Sequence, residues 1–203
     1  MNSGKNSIGV AAVVLAAGQS KRMGKPKLVL PWGQDTVIGQ VIRTLKHAGL
    51  EEIVVVTGSA APLIEAALQG LGVRTLHNPD FADVEMLASC QMGLKALDAR
   101  VEAALVVLGD QPQIEAGVVK SVLRLYAKSK PVLVVPSYQM HRGHPWLVAR
   151  KLWPAILALQ SQETLRDFLA QQAAHITYLP VESSSILQDL DTPADYDRYS
   201  RSG

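Results

Sequence analysis

Short apolar runs rich in β-branched residues alternate along the chain with longer stretches in which apolar residues recur about every 3.6 positions. The short runs predict strands and the longer stretches predict amphipathic helices. For example, Val37, Val41 and Leu45 fall on one helical face. The predicted strands cover residues 10–15, 53–57, 73–77, 104–108, 132–135, 146–149 and 176–180. The predicted helices cover residues 36–48, 62–69, 86–97, 117–128, 163–172 and 193–199.

Several predicted strands, such as ALVVLGD, are apolar on both faces. This pattern is typical of parallel strands that helices cover on both sides. Alternating units of this kind predict an α/β fold with a doubly wound, mostly parallel, Rossmann-like sheet. The 203 residues show no repeat and no long linker, so we expect one domain over residues 1–203, with residues 1–7 as a flexible tail.

The composition and net charge of the chain limit the kinds of molecule that it is expected to bind. The net charge of +2 is too small to indicate a nucleic-acid or anionic-membrane binder, so any cationic function must be local. No segment approaches the roughly 20 apolar residues of a membrane helix, and the first residues lack the apolar core of a signal peptide. The single cysteine, Cys90, excludes an internal disulfide and is expected to be buried rather than nucleophilic. We therefore expect a cytoplasmic protein.

Polar loops follow the apolar runs, at the edge of the sheet where ligands of such folds bind. The first of them, AAGQSKRMGKPK, has small residues and four cations. Free backbone N–H groups beside Lys and Arg favour phosphate binding. Five residues separate Gly18 from Gly24, which excludes both the dinucleotide fingerprint and the P-loop. A solvated basic surface loop is the alternative.

Two side chains of this loop suit phosphate chemistry. Arg22 can bind phosphate oxygens through two N–H groups, and Lys27 can act as a point charge on a leaving phosphate. Pro26 disfavours helical backbone at Lys25, so we expect the chain to continue extended and to wrap its ligand.

Carboxylates follow two later runs. Asp110, in GDQP, ends a predicted strand and could bind Mg²⁺ together with substrate phosphates, or could simply serve a turn before Pro112. Asp189 and Asp191 alternate along a strand-like stretch, so we expect only one of them to face a shared metal. Asp191 could alternatively begin the helix that follows.

The loop before the strand at residue 146 reads HRGHP. Arg142 and His144 could donate hydrogen bonds to a phosphorylated acceptor. His144 could instead be a structural histidine. The other histidines show no metal-ligand spacing.

The run LAAGQSKRMGKPK resembles the signature L-A-[AG]-G-x-S-x-R-M-G-x-x-K of the MobA-like nucleotidyltransferases, and GDQP and RGHP resemble its molybdenum cofactor cytidylyltransferase branch. The resemblance extends from Val13 to Tyr196. It implies transfer of a nucleotide from an NTP to an anionic acceptor, with release of pyrophosphate. One departure lies before Leu87, where VEM stands in place of the glycine and paired serines that relatives often have.

The resemblance also implies roles for particular residues. Arg22, Lys27 and Asp110 would be catalytic, and Asp110 and Asp191 would hold Mg²⁺. Residues at the acceptor would be Gln111, Arg142 and His144. The nucleotide would be bound by Leu15, Ala16, Ala17, Gly18, Ser20, Arg22, Gly24, Lys27, Thr57, Gly58, Ser89 and Gly93.

The substrates follow from the same resemblance. Members that read LAAG are associated with CTP and those that read LAGG with GTP, and the methyl group of Ala17 narrows the space beside the base. The expected acceptor is molybdopterin, with a recipient molybdoenzyme as a partner. Two alternatives remain open: a sugar phosphate or other small acceptor, and a non-catalytic accessory protein that binds the molybdenum cofactor. A third alternative, an NAD-dependent oxidoreductase, is disfavoured because the dinucleotide-binding fingerprint is missing.

Overall fold

The computed structural model describes residues 9–80 and 86–200, and strands and helices alternate through this part of the chain. The predicted flexible tail, residues 1–7, lies outside it. The strands are β1 (Val10–Ala16), β2 (Pro31–Trp32), β3 (Asp35–Thr36), β4 (Ile53–Thr57), β5 (Arg74–His77), β6 (Ala103–Leu108), β7 (Leu133–Tyr138), β8 (His141–Arg142), β9 (Trp146–Ala149) and β10 (Ile176–Pro180). The helices are α1 (Val37–His47), α2 (Ala61–Ala67), α3 (Met86–Ala96), α4 (Ala116–Ser129), α5 (Trp153–Leu157), α6 (Leu165–Gln171) and α7 (Pro193–Ser200).

The main sheet has the strand order β10-β7-β9-β6-β1-β4-β5 among the described residues, and β8 is added to β7. The four strands β6, β1, β4 and β5 are parallel to one another. Strand β9 runs antiparallel to both β6 and β7, and β10 is parallel to β7. The prediction of an α/β fold with a mostly parallel sheet is therefore confirmed, and β9 makes the sheet mixed.

Helices cover both faces of this sheet. Ala12 and Val14 of β1 pack into a core with α1, α2 and α4, whereas Ala11 and Val13 pack into a second core with α3, α5 and α6. This explains why the β1 sequence is apolar at successive positions. Cys90 of α3 is fully buried as expected, and burial raises the pKa of its thiol to about 12.

Several short elements differ from the sequence prediction, and the two-residue strand β8 is one of them. The β2–β3 hairpin and α5 were not predicted, because two-residue strands and a five-residue helix contain too few positions to show a period. The expected extended chain after Pro26 was wrong over Lys27–Val29, which form a single 3-10 turn. This turn inserts Leu28 into the core beneath α1.

The strand order reverses at β1, and this places two loops side by side. The chain leaves β1 towards β4 and β5, and later returns to β6 on the other side of β1. Leu15 is paired with Leu108, and the Gly109 N–H donates to the Leu15 carbonyl at 3.0 Å. The loop after β1 and Asp110 after β6 therefore meet at the carboxyl edge, where such sheets bind ligands.

Gly93 allows α3 to approach β1 closely. A Cβ atom at this position would lie 2.3 Å from Cγ1 of Val13, a core side chain of β1. We therefore expect Gly93→Ala to lower the free energy of unfolding by about 2 kcal/mol or more, since overpacking forces neighbouring groups to move. Urea denaturation measures the change. Gly117→Ala is the matched control, because a Cβ there has no neighbour within 4 Å; equal stability of the two variants would contradict the packing role.

Candidate active site

A cavity of about 550 Å³ opens at the carboxyl edge of β1 and β6. Its walls come from the loop after β1, the residues after β6, the first turn of α3 and the segment before α7. The residues that line it are Leu15, Ala16, Ala17, Gly18, Gln19, Ser20, Lys21, Arg22, Lys27, Leu28, Met86, Ser89, Leu108, Asp110, Asp189 and Asp191. The cavity thus combines the cationic loop with carboxylates from two distant parts of the sequence.

The cationic loop has a defined backbone shape. Ser20 and Gly24 both adopt left-handed backbone conformations, and between them Lys21–Met23 form a 3-10 turn. Met23 is buried, which anchors the turn, while its neighbour Arg22 is largely exposed. The Lys27 N–H donates to Oγ of Ser20 at 3.2 Å and closes the loop. The two cations predicted to bind phosphate are thereby held on one wall of the cavity.

Two cations and two carboxylates form a cluster in the cavity. Nζ of Lys27 lies 2.5 Å from Oδ2 of Asp110 and 3.3 Å from Oδ1 of Asp191. Nη2 of Arg22 lies 2.9 Å from Oδ2 of Asp191. The Lys27 and Asp110 side chains are only 13% and 20% exposed, so their attraction is screened less than that of a surface pair. The structure thus brings together the predicted catalytic residues and both predicted metal ligands.

The side chains of Asp110 and Asp191 are not used by the turns in which they lie. The helix α7 is capped by Thr192, whose Oγ1 accepts from the Asp195 N–H at 3.2 Å, and by Asp195, whose Oδ2 accepts from the Thr192 N–H at 2.8 Å. This capping arrangement leaves the Asp191 carboxylate on the cavity wall. The Asp110 carboxylate pairs with Lys27 across the cavity. Neither carboxylate therefore serves the structural role that the sequence left open, which was a turn for Asp110 and the start of a helix for Asp191.

The segment before α7 is fixed to the end of β6. The N–H of Leu190, a fully buried residue, donates to the Asp110 carbonyl at 3.1 Å, and Nε2 of Gln113 donates to the Gln188 carbonyl at 2.6 Å. No strand forms at residues 188–191, which the structure describes in full. The strand on which we based the expectation that only one of Asp189 and Asp191 faces a shared metal is therefore absent there, and both residues line the cavity.

Asp189 is a site residue that the sequence reasoning missed. Its Oδ1 accepts a hydrogen bond from Nε2 of Gln111 at 2.7 Å. Burial, together with the nearby charge of Asp110, raises the pKa of the Asp189 carboxyl, and the Gln111 hydrogen bond only partly opposes this. The signal in the sequence was the DLD pattern itself, which the assumption of a strand discarded.

The donor set can be compared with the needs of a metal ion. Among residues 9–80 and 86–200, no group of three or more His, Cys, Asp and Glu side chains is arranged to hold a metal. Asp110 and Asp191 supply two carboxylates on one cavity wall. Mg²⁺ commonly takes one or two carboxylates and completes its shell with waters and substrate phosphates. The residues therefore fit a metal that binds together with a phosphorylated substrate.

Some residues predicted to bind the nucleotide lie outside the lining. Ser89 lines the cavity, but Gly24, Thr57, Gly58 and Gly93 do not. Thr57 is fully buried, and its Oγ1 donates to the Leu76 carbonyl at 3.2 Å. Contact between these four residues and a nucleotide stays a prediction.

The three residues predicted at the acceptor also lie outside the cavity lining. Gln111 is 2% exposed and holds Asp189. Arg142 is exposed, with its guanidinium 5.5 Å from the centre of the Tyr178 ring. His144 stacks on Trp146 at 4.3 Å, and burial, assisted by the charge of Arg166, lowers its pKa to about 3. The imidazole is thus neutral near pH 7, and acceptor binding by these residues stays a prediction.

In the part of the chain that the structure describes, we find no helix of the length and apolar character that crossing a membrane requires.

Comparison with known proteins gives consistent results. The profile of the MobA-like NTP transferase domain matches residues 12–176. The molybdenum cofactor cytidylyltransferase of Escherichia coli K12 is 26% identical over 188 residues, which cover 92% of this chain and 93% of that protein. The nicotine blue oxidoreductase of Paenarthrobacter nicotinovorans is 28% identical over 193 residues, with 90% and 92% covered.

A solved structure agrees with the fold. The crystal structure of Rv0371c from Mycobacterium tuberculosis H37Rv has a TM-score of 0.83 and 26% identity, covering 95% of this chain and 97% of that one. A second structure of Rv0371c, in complex with manganese, has a TM-score of 0.80 and 25% identity, with 96% and 99% covered.

Proposed function

The chain belongs to the MobA-like NTP transferase family and is a nucleotidyltransferase by family and fold, and we propose that it transfers a cytidylyl group from CTP to molybdopterin with release of pyrophosphate. The observation that carries this proposal is the position of Lys27. Its ammonium group lies between Asp110 and Asp191, in the same cavity as the loop after β1. Groups that bind phosphate and groups that bind a metal therefore face one space.

In the proposed reaction, an oxygen of the acceptor phosphate attacks the α-phosphorus of the NTP, while the bond from that phosphorus to the bridging oxygen of pyrophosphate breaks. Such transfers depend on positioning and on neutralising charge rather than on a protein nucleophile. On binding the NTP, Arg22 and Lys27 exchange their carboxylate partners for oxygens of the β- and γ-phosphates. They then stabilise the charge that develops on the leaving pyrophosphate.

We propose that Asp110 and Asp191 hold Mg²⁺ together with the substrate phosphates. When bound, the ion supplies positive charge at the α-phosphate and the acceptor phosphate. The manganese complex of Rv0371c, a protein 25% identical to this chain, supports the use of a divalent cation. Because the pKa of the Asp189 carboxyl is raised, this residue contributes negative charge to the cavity only at a pH that ionises it.

The acceptor and the recipient enzyme are inferred from the E. coli relative, whose name states a molybdenum cofactor cytidylyltransferase. Overall similarity alone does not select this activity, because a relative of comparable identity is named an oxidoreductase. The cluster of Lys27, Asp110 and Asp191 favours transfer, since two carboxylates beside a phosphate-binding cation can hold the metal that attack on a phosphate uses and that hydride transfer does not need. A recipient molybdoenzyme would accept the product.

The decisive experiment measures pyrophosphate release with each of the four NTPs, with and without molybdopterin and Mg²⁺. We expect release that requires CTP, molybdopterin and Mg²⁺ together. Release with sugar phosphates but not with molybdopterin would overturn the acceptor. Binding of molybdopterin without release under any condition would instead support a non-catalytic accessory protein.

Ala17 provides a test of the choice of nucleotide. It lines the cavity beside the strand end, and its methyl group restricts the space there. We expect Ala17→Gly to raise kcat/KM for GTP by about tenfold while CTP is still used, because removing one methyl group from a pocket changes discrimination by this order. The ratio of kcat/KM for CTP and GTP is measured for both proteins. An unchanged ratio would show that Ala17 does not limit the size of the base.

A further inference from the structure

A buried asparagine lies behind the cavity, at the end of β5. Asn78 is 2% exposed, and its backbone N–H donates to the Thr57 carbonyl at 2.9 Å. Its side-chain Nδ2 donates to Oγ of Ser89 at 3.2 Å, and its Oδ1 accepts from the backbone N–H of Asp80 at 3.1 Å. Asn78 therefore connects the ends of two strands to a residue of the cavity wall without lining the cavity itself.

The partners of Asn78 determine how its amide is oriented. A backbone N–H can only donate, so the atom facing Asp80 must be the amide oxygen. The amide nitrogen consequently faces Ser89 and can only donate to it. Since Oγ of Ser89 accepts this hydrogen bond, its own hydroxyl hydrogen must find another acceptor. Among the described residues no hydrogen bond donated by the Ser89 hydroxyl is found, and Ser89, which is 2% exposed, lines the cavity.

The position of Ser89 indicates which part of a nucleotide it meets. The cavity crosses the edge of the sheet: Leu28, next to Lys27, packs into the core on the α1 face, whereas Leu87 and Cys90, on either side of Ser89, pack into the core on the α3 face. The phosphates are drawn to the cations Lys27 and Arg22. Among the described residues, the cavity-lining side chains that share the α3 face with Ser89 include Leu15 and Leu108, which are uncharged. This is the wall available to the base.

We propose that Asn78 is a positioning residue that makes the Ser89 hydroxyl a hydrogen-bond donor to an acceptor atom on the ring of the nucleotide base. In cytosine, N3 and the C2 carbonyl oxygen are such atoms. The proposal rests on the proposed function only in requiring that the cavity binds an NTP. It adds to it a buried residue, remote from the phosphates, through which the base is recognised.

The test compares four proteins: the wild type, Ser89→Ala, Asn78→Asp and the double variant. In Asn78→Asp, the side chain keeps the shape of the asparagine amide, but its carboxylate accepts a hydrogen bond from the Ser89 hydroxyl. The hydroxyl hydrogen therefore turns away from the cavity. Titration calorimetry with α,β-methylene-CTP measures Kd. We expect each single variant to raise Kd by about tenfold, the order expected for one lost hydrogen bond. Ser121→Ala, in which the lost hydroxyl belongs to a half-buried residue of α4 outside the cavity, is the matched control.

The double variant distinguishes two mechanisms. If the carboxylate acts through Ser89, the double variant binds no more weakly than Ser89→Ala alone. If it acts by repelling the triphosphate, the two losses multiply, and the proposal is overturned. An unchanged Kd in Ser89→Ala overturns it as well, because the hydroxyl hydrogen then has a partner within the protein.

Folding and substrate choice are controlled separately. Thermal unfolding is recorded for every variant, and if Asn78→Asp does not fold, Asn78→Ala replaces it. Loss of the amide frees the hydroxyl to rotate, so we expect Kd to rise by about threefold, and an unchanged Kd would overturn the proposal. A wild type that binds a GTP or UTP analogue instead of the CTP analogue refutes the choice of CTP, and the same series with that analogue then tests Asn78. A wild type that binds no NTP analogue refutes the proposed function itself.

Discussion

Asp110→Asn is expected to lower kcat for pyrophosphate release by about a thousandfold, since losing one preorganised charge at a reacting phosphate commonly costs this much. The carboxylate lies 2.5 Å from Lys27, and the backbone of Asp110 is held by the Leu190 N–H. Asparagine has the same shape and leaves this backbone contact intact. It removes the charge that a metal ion requires, so activity should be lost while the fold is kept.

The control for this variant is Asp98→Asn, which neutralises an exposed carboxylate paired with Arg100 outside the cavity. Initial rates at saturating CTP, acceptor and Mg²⁺ are measured for both variants, together with their circular dichroism and urea midpoints. We expect the control to retain its activity. If Asp110→Asn is as active as the control, the metal is not held by Asp110.

The second large effect is expected from Lys27→Gln, which should reduce kcat/KM for the NTP by about a hundredfold or more. The side chain is 13% exposed and lies between the two carboxylates. Without it, the cavity keeps its negative groups and loses one of the two cations assigned to the leaving pyrophosphate. The rate of transfer should therefore fall, even when Mg²⁺ is present in excess.

Lys25→Gln is a closely matched control, because Lys25 is an exposed cation of the same loop and does not line the cavity. Both substitutions lower the net charge of the protein by one. If binding depended only on the overall charge of the loop, the two variants would lose the same activity. We expect a large loss of kcat/KM for Lys27→Gln and not for Lys25→Gln. Equal losses in the two variants would refute a specific role for Lys27.

The large elements of the fold could be predicted from the sequence because each contains enough residues to show a period. The bounds of β4, β9 and β10 agree with the predicted ranges. The order of strands in the sheet, in contrast, depends on contacts between distant residues. The antiparallel entry of β9 between β6 and β7 could not be obtained from local patterns.

The candidate site was predictable where a residue acts through its position at the end of a strand. Asp110 and the loop after β1 meet as expected, since the carboxyl ends of neighbouring parallel strands share an edge. Asp189 could not be assigned correctly, because its direction depends on how Leu190 is bonded to Asp110. Asn78 was not found at all, because a buried amide behind a cavity wall leaves no signal in one sequence.

The contact between Lys27 and Asp191 has a consequence for how this protein is made. Lys27 and Asp191, which meet in the cavity, are 164 positions apart in the chain. Synthesis on the ribosome proceeds from the N-terminus, at about 5–20 residues per second. The loop after β1 thus leaves the ribosome many seconds before Asp191 is available to it. A nascent chain therefore becomes competent for transfer only after Asp191 has been synthesised and can reach Lys27.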